Sequence, residues 1–375
     1  MDFELDDDQK ALSELAARIL ADRSTPARLK STEDEAAAGG DGVDHVLWGQ
    51  LASAGLLAAP LAEDGGGAGM GLLGACAVLE EVGRRLAPVP YLESVLSALA
   101  IERFGPAGLR KAVAEVGAGS LVITPALAEA QAPPRRPAAT ARPAGDGFML
   151  EGEKICVPAG LAAGAYLVPV TLPTGSSGVV LVEAGAAGLE RERQDTTTGR
   201  PEARLRLSSV AAPAGALLGS ETSEEADVLD WLVDRVTAAL CVAAAGCLQE
   251  ALRITASYVK ERKQFDRVLA SFQAVGQRAA DAFIDTLGVR LTAWQAAWRL
   301  SAGLPASAEV TIAKYWASEA GQRVVHTCQH LHGGIGMDRD YPVHRYFLAA
   351  KQVDLALGGA APQLAELGQA IAASA

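Results

Sequence analysis

From Val236 to Leu248 thirteen residues pass without a charge. A helix that is apolar on every side must be surrounded, by protein or by lipid. The run is too short for a bilayer, which needs about 20 apolar residues, so it is expected as a buried helix. Its flanks supply the neighbours. Helical spacing extends over roughly 223–261, 268–301, 306–331 and 342–357, and a short tail helix follows Pro362. Four long helices with short connections make a bundle.

Upstream the pattern differs. Asp6 to Asp8 can cap a helix whose apolar positions are Leu12, Leu15 and Ile19. A second helix covers Val46 to Leu51 and ends at Gly55, and LAEDGGGAGMG is a glycine loop. Leu72, Cys76, Leu79, Val82 and Leu86 then form one helical stripe, stopped by Pro88 and Pro90. From about Ser120 short β-rich runs take over: LVIT (121–124), GFMLEG (147–152), AYLVPV (165–170) and GVVLVE (178–183). The Pro/Ala/Arg-rich stretch 131–146 between them is expected as a surface loop. The fold class is therefore multidomain α+β. An N-terminal α-helical domain (1–119) precedes a middle antiparallel β-domain with both faces sheltered (120–222) and a C-terminal four-helix bundle (223–375).

A chain of 375 residues with a net charge of -12 is a poor general partner for nucleic acid or a membrane surface, both polyanionic. One local arginine site can still hold an anionic small ligand. The five cysteines are scattered, with no CxxC pair, and read as buried reduced thiols. The N-terminus MDFELDDDQK is acidic where a secretion signal is basic, so the cytoplasm is the expected location.

Three stretches carry chemistry. ERKQF at 261–265 is followed by FQAV at 272–275. An arginine there can fork two hydrogen bonds onto a phosphate and never deprotonates; from spacing alone, Arg262 and Lys263 could equally complement a helix C-terminus. HLHGGIGMDRDYPVHRY at 330–346 offers backbone N–H groups without side-chain obstruction, or simply a glycine turn that ends a helix. The third stretch is LWGQLASAGLLAAPLAEDGGGAGMGLLGACAVLEEVGRRLAPVP. Together they resemble the acyl-CoA dehydrogenase family, over nearly the whole chain and in the same domain order. The resemblance implies that Arg262, Gln264, Phe265 and Gln273 reach across a subunit interface to the pyrophosphate of a neighbour's FAD. Gly333 and Gly334 would lie against the cofactor. The family's glutamine for the adenine end stands three residues before the first glycine; here that position is His330, with Gln329 one place earlier. Asp266 replaces the usual glycine.

His326, His330 and His332 do not make a metal site, since His332 falls well round the helix from the other two and no cysteine or carboxylate completes a set.

Removing the α-proton of an acyl-CoA needs a base, naturally a carboxylate. The family places a glutamate six residues after the position of Lys351, which here is Leu357, or on the helix before ERKQF, which here is Val236. The family's neighbouring arginine is Thr237. Neither leucine nor valine accepts a proton. The Thr-Glu-Pro-Gly-Ala-Gly-Ser stretch that faces the flavin ring in the family is TPALAEA here, and the Trp-Ile-Thr run that packs on it is Cys156 to Pro158.

The resemblance thus implies a base-lacking subunit of a hetero-oligomeric, actinobacterial-type acyl-CoA dehydrogenase, of the kind that acts on steroid side chains. A second acyl-CoA dehydrogenase-like chain would supply the base, and an electron-transfer flavoprotein would accept electrons. The alternatives are an active homo-oligomer using Asp234 or Asp354 as a relocated base, a flavin-dependent monooxygenase of the same fold, and a non-enzymatic scaffold.

Overall fold

A computed structural model describes residues 4–219 and 228–374. The N-terminal helices are α1 (Asp7–Arg23), α2 (Pro26–Ala37), α3 (His45–Ser53), α4 (Gly71–Arg85), α5 (Tyr91–Phe104) and α6 (Arg110–Gly117). Asp6 caps α1 by accepting from the Gln9 N–H at 2.8 Å, and the Gln9 side chain answers in a capping box. The buried face of α1 is centred on Ala16 and Leu20, while the expected stripe of Leu12, Leu15 and Ile19 is only half-buried.

Eight strands follow: β1 (Ile123–Pro125), β2 (Thr140–Ala144), β3 (Gly147–Val157), β4 (Ala165–Thr171), β5 (Ser177–Glu183), β6 (Leu189–Gln194), β7 (Glu202–Pro213) and β8 (Leu217–Leu218). They form one sheet in the order β6-β7-β3-β2-β4-β5-β8, with β1 paired to β4. Most pairs are antiparallel as expected, but β1–β4 and β2–β4 run parallel, the β2–β3 hairpin lying between β1 and β4 in the chain. The stretch 131–146 is not all loop. Its end is β2, turned at Gly145 (φ 62°) onto β3. Shelter is uneven too: β4 is buried along almost its whole length, whereas β6 is largely exposed and β7 alternates. One face of the β6–β7–β3 half therefore meets solvent.

The C-terminal helices are α7 (Val228–Glu261), α8 (Gln273–Ser301), α9 (Ser307–His332), α10 (Val343–Leu355) and α11 (Ala360–Ser374). The expected start of the first of these, 223–227, lies outside the described residues. α8 begins later than its pattern suggested, because 263–268 folds into a hairpin of β9 (Lys263–Gln264) and β10 (Arg267–Val268). By length and composition α7 could cross a membrane, yet 78% of its most apolar stretch is buried within the protein. Four cysteines are buried free thiols as expected; Cys156 is exposed.

Two compact units partition the chain, cutting across the segments 1–119, 120–222 and 223–375. A helical unit holds Met1–Lys30, Cys76–Ala87 and Thr237–Ala375; a sheet unit holds Ser31–Ala75 and Pro88–Val236. In the helical unit the end of α4 belongs with α7 because their backbones touch. A Cβ at Gly83 would collide with the Ala243 carbonyl, and one at Gly246 with that of Glu80. Buried Glu80 adds a polar tie, accepting from Gln249 (3.0 Å), Arg290 (2.7 Å) and Trp294 (3.0 Å).

Candidate functional site

In the helical unit, the end of α7 runs directly into the β9–β10 hairpin. Its two-residue loop, Phe265 and Asp266, has φ of 52° and 62°. Positive φ at both central positions is the type I′ turn whose twist suits a tight hairpin, and aspartate tolerates it better than most side chains. The turn thus forms without the glycine that Asp266 replaces. Arg262 donates its N–H to the Tyr258 carbonyl and accepts from the Leu269 N–H, both at 2.9 Å. The Arg267 guanidinium lies 3.8 Å over the Phe272 ring, against which Phe265 packs edge-on at 6.4 Å. This stack stiffens a projection whose own tip is bare: Phe265 is 87% exposed, and Arg262, Gln264 and Gln273 are exposed as well.

α9 ends in a tight 3-10 turn, Gly333–Met337. Gly333 has φ 62° and ψ -141°, a conformation open in practice only to glycine. A Cβ at Gly333 or Gly334 would meet nothing within 4 Å, so these backbones are approachable from outside. His330 is exposed. Gln329 is tucked under the turn, where its Nε2 would sit 3.0 Å from a Cβ at Gly336 and its buried Oε1 has no partner among the described residues. Of the two residues near the adenine-end position, His330 is the one that faces outward. His332 is buried, and burial lowers its pKa. Among the described residues no three His, Cys, Asp or Glu converge on a metal position.

Where the resemblance implies a base stand Val236 and Leu357, neither of which ionises. Val236 and Thr237 are buried. Leu357 sits in a left-handed kink (φ 55°) after α10. That kink is pinned, since fully buried Lys314 donates to the Asp354 and Gly358 carbonyls at 3.2 and 2.8 Å, and Gln363 donates to the Leu357 carbonyl at 3.1 Å. The neighbouring carboxylates are engaged. In the sheet unit Arg135 forks onto Asp230 and Asp234, and in the helical unit Lys351 holds Asp354 at 2.8 Å.

In the sheet unit the segments that the resemblance sets beside the flavin ring, 124–130 and 156–158, are tied to their neighbours by internal bonds. Glu129 accepts from the Ala138 and Ala139 N–H groups at 2.6 and 3.1 Å and pairs with Lys154 at 2.5 Å, a lysine with no exposed side-chain surface. The Ile155 N–H is bound to the Ala128 carbonyl and the Cys156 N–H to Gln194, at 2.9 and 2.7 Å. Pro125 and Pro158 have no N–H to give. Cys156 itself is in the left-handed region (φ 49°), and burial and the Glu202 carboxylate push its thiol pKa up, away from reactivity.

Two family models match the chain: an acyl-CoA dehydrogenase N-terminal domain over residues 6–115 and an acyl-CoA dehydrogenase C-terminal domain over residues 231–372. Acyl-CoA dehydrogenase FadE27 of Mycobacterium tuberculosis is 42% identical over 341 residues, 88% of each chain. The chain belongs to the acyl-CoA dehydrogenase family. Similar solved structures include the Tcur3481–Tcur3483 steroid ACAD, at 41% identity, TM-score 0.92 and 98% coverage of each chain. The ChsE4–ChsE5 complex from Mycobacterium tuberculosis matches at 40% identity, TM-score 0.92 and 99% coverage of each. The helix–sheet–helix order is that of the acyl-CoA dehydrogenase fold.

The Tyr258–His332–Tyr341 cluster, described below, was not legible in advance. His332 and Tyr341 lie in the 330–346 stretch, but nothing in the sequence places Tyr258, three residues before ERKQF, against them.

Proposed function

We propose that this chain is one subunit of a hetero-oligomeric acyl-CoA dehydrogenase. It lends Arg262, Gln264, Phe265, Gln273, His330, Gly333 and Gly334 to the adenosine-pyrophosphate end of an FAD whose ring lies in a partner chain. Bound FAD would accept the β-hydrogen of an acyl-CoA as hydride. The partner, a second acyl-CoA dehydrogenase-like chain, would supply the base that takes the α-proton, and an electron-transfer flavoprotein would reoxidise the cofactor. Two similar structures are named as pairs, one of them a steroid ACAD, which favours a steroid side-chain thioester as substrate.

The observation that carries the reading is the fate of the carboxylates. Asp234 and Asp354, nearest in sequence to the two base positions, are each held in an ion pair. A carboxylate already hydrogen-bonded to a cation is not aimed at a substrate proton, which disfavours an active homo-oligomer with a relocated base. The chemistry of the site agrees. Arg262 and the open Gly333–Gly334 backbone offer donors to a pyrophosphate, while in the sheet unit the Ile155 and Cys156 N–H groups are bound internally. An exposed apolar stripe on α8, Phe283, Ile284, Leu287 and Leu291 at between 42% and 63% exposure, supports a role in subunit contact.

The test is the molar ratio of FAD to this chain, purified alone and then with its partner. No flavin alone, and one FAD per pair of unlike chains, is the expected result. One FAD per chain in a homo-oligomer that acyl-CoA bleaches would overturn the reading.

A further inference from the structure

The proposed half-site draws on two segments distant in sequence, the end of α7 with its hairpin and the glycine turn after α9. Three rings join them. Tyr258 stacks on His332 with centroids 4.5 Å apart and planes 24° apart, and Tyr341 closes the cluster at 5.2 Å from His332 and 6.3 Å from Tyr258. Each ring sits beside a working part of the half-site. The Tyr258 carbonyl accepts the Arg262 N–H, and His332 is the residue immediately before Gly333.

Hydrogen bonds fix the orientation of the central ring. His332 Nδ1 is 2.8 Å from the Cys328 carbonyl oxygen and Nε2 is 3.2 Å from the Tyr341 hydroxyl. A carbonyl can only accept, so Nδ1 carries the hydrogen. Burial disfavours a second proton, which leaves Nε2 to accept from the Tyr341 O–H. The Tyr258 O–H reaches the His332 carbonyl at 3.5 Å. Tyr258 and Tyr341 are only half-buried, so the stack lies at the rim of the fold and not in its core.

Resting on the half-site reading above, we propose that Tyr258, His332 and Tyr341 are positioning residues: they clamp the glycine turn to the last turns of α7 and set the spacing between the Gly333–Gly334 amides and the Arg262 guanidinium. Donors held in place before binding lose less freedom when the pyrophosphate arrives, and this appears as affinity. The clamp acts through the position of the turn and touches no ligand itself.

The experiment measures FAD affinity by flavin fluorescence, and the thermal midpoint, for the complex co-purified with its partner chain. Three variants are compared with the parent. His332→Leu removes the ring and both hydrogen bonds, His332→Phe keeps the ring, and Tyr341→Phe removes only one hydrogen bond. His332→Leu is expected to weaken FAD binding about tenfold and Tyr341→Phe about threefold, with His332→Phe recovering most of the loss, as a preorganisation effect should. Thermal midpoints should shift little across the set. Parental FAD affinity in His332→Leu would overturn the clamp, and so would a loss that tracks the thermal midpoint without rescue by phenylalanine. Arg262→Ala is measured alongside. If it too retains parental affinity, the half-site reading itself fails; if it alone loosens FAD, only the clamp fails.

Discussion

In the proposed function the hairpin at 263–268 and the loops at 124–130 and 156–158 face opposite ends of one cofactor, and they are built in opposite ways. The hairpin spends its internal interactions on stiffness and leaves its charge and amides outward: Arg267 packs on Phe272, whereas Arg262, Gln264 and Phe265 remain exposed. The sheet-unit loops spend theirs on closure. Glu129 takes two backbone N–H groups and Lys154, and the Cys156 N–H is given to Gln194.

The contrast can be broken most forcefully at Glu129. Glu129→Ala would strand Lys154 as a buried, unpaired lysine, at a cost of about 3–5 kcal/mol. The expected outcome is a large fall in the denaturation midpoint, read by urea or thermal unfolding; an unchanged midpoint would mean that the loop is not held by this pair. Next in size is the opposite region. Arg262→Ala removes charged hydrogen bonds worth about 1.5–3 kcal/mol each, so FAD retention in the complex should drop at least tenfold while the unfolding midpoint stays close to the parent's. The reverse pattern, stability lost and flavin kept, would erase the distinction between the two regions.

A pH test sharpens the sheet-unit side. Burial pushes Glu93 up to about 7, against the pull of Arg200 and with help from the Glu202 carboxylate. The folded chain therefore holds a proton that the unfolded chain has already released. That stabilising contribution is complete below the ordinary glutamate range and fades as pH rises towards about 7. Glu93→Gln should flatten this part of the stability–pH curve and raise the melting temperature at pH 8. A parallel curve for the variant would rule Glu93 out as its source. The smallest effects are expected at two positions. Asp266→Gly should stabilise the hairpin by about 1 kcal/mol through relief of the left-handed strain, seen as slower amide exchange at 263–268. Leu357→Ala should leave turnover of the complex unchanged, and a large loss there would implicate the kink after α10 in catalysis.

Much of the fold could be read before the structure. The buried α7, the strands at 121–124, 147–152, 165–170 and 178–183, and the order of helical and β-rich segments all follow from apolar periodicity, a local property. What was misread depended on partners. β2 hides in a Pro/Ala/Arg-rich stretch because its strand character comes from pairing with β3. The late start of α8 reflects a hairpin whose Phe265–Asp266 turn lacks the glycine that usually marks one. Cys156 was expected among the buried thiols, but a left-handed bend at the end of β3 leaves it exposed. At the site, ERKQF and GGIG stood out as motifs. The stack that joins them did not, since Tyr258 meets His332 and Tyr341 only when α7 packs against the end of α9 and the turn before α10.

The sequence by itself determined the family and the helix–sheet–helix order, because these are matters of residue identity and spacing. Only the tertiary structure decided that Arg135 ties up Asp234, that Gln329 turns inward while His330 faces out, and that Glu129 and Lys154 pair out of contact with solvent. Each of those facts is a distance between groups remote in sequence or a direction of a side chain, and neither is fixed until the core has packed.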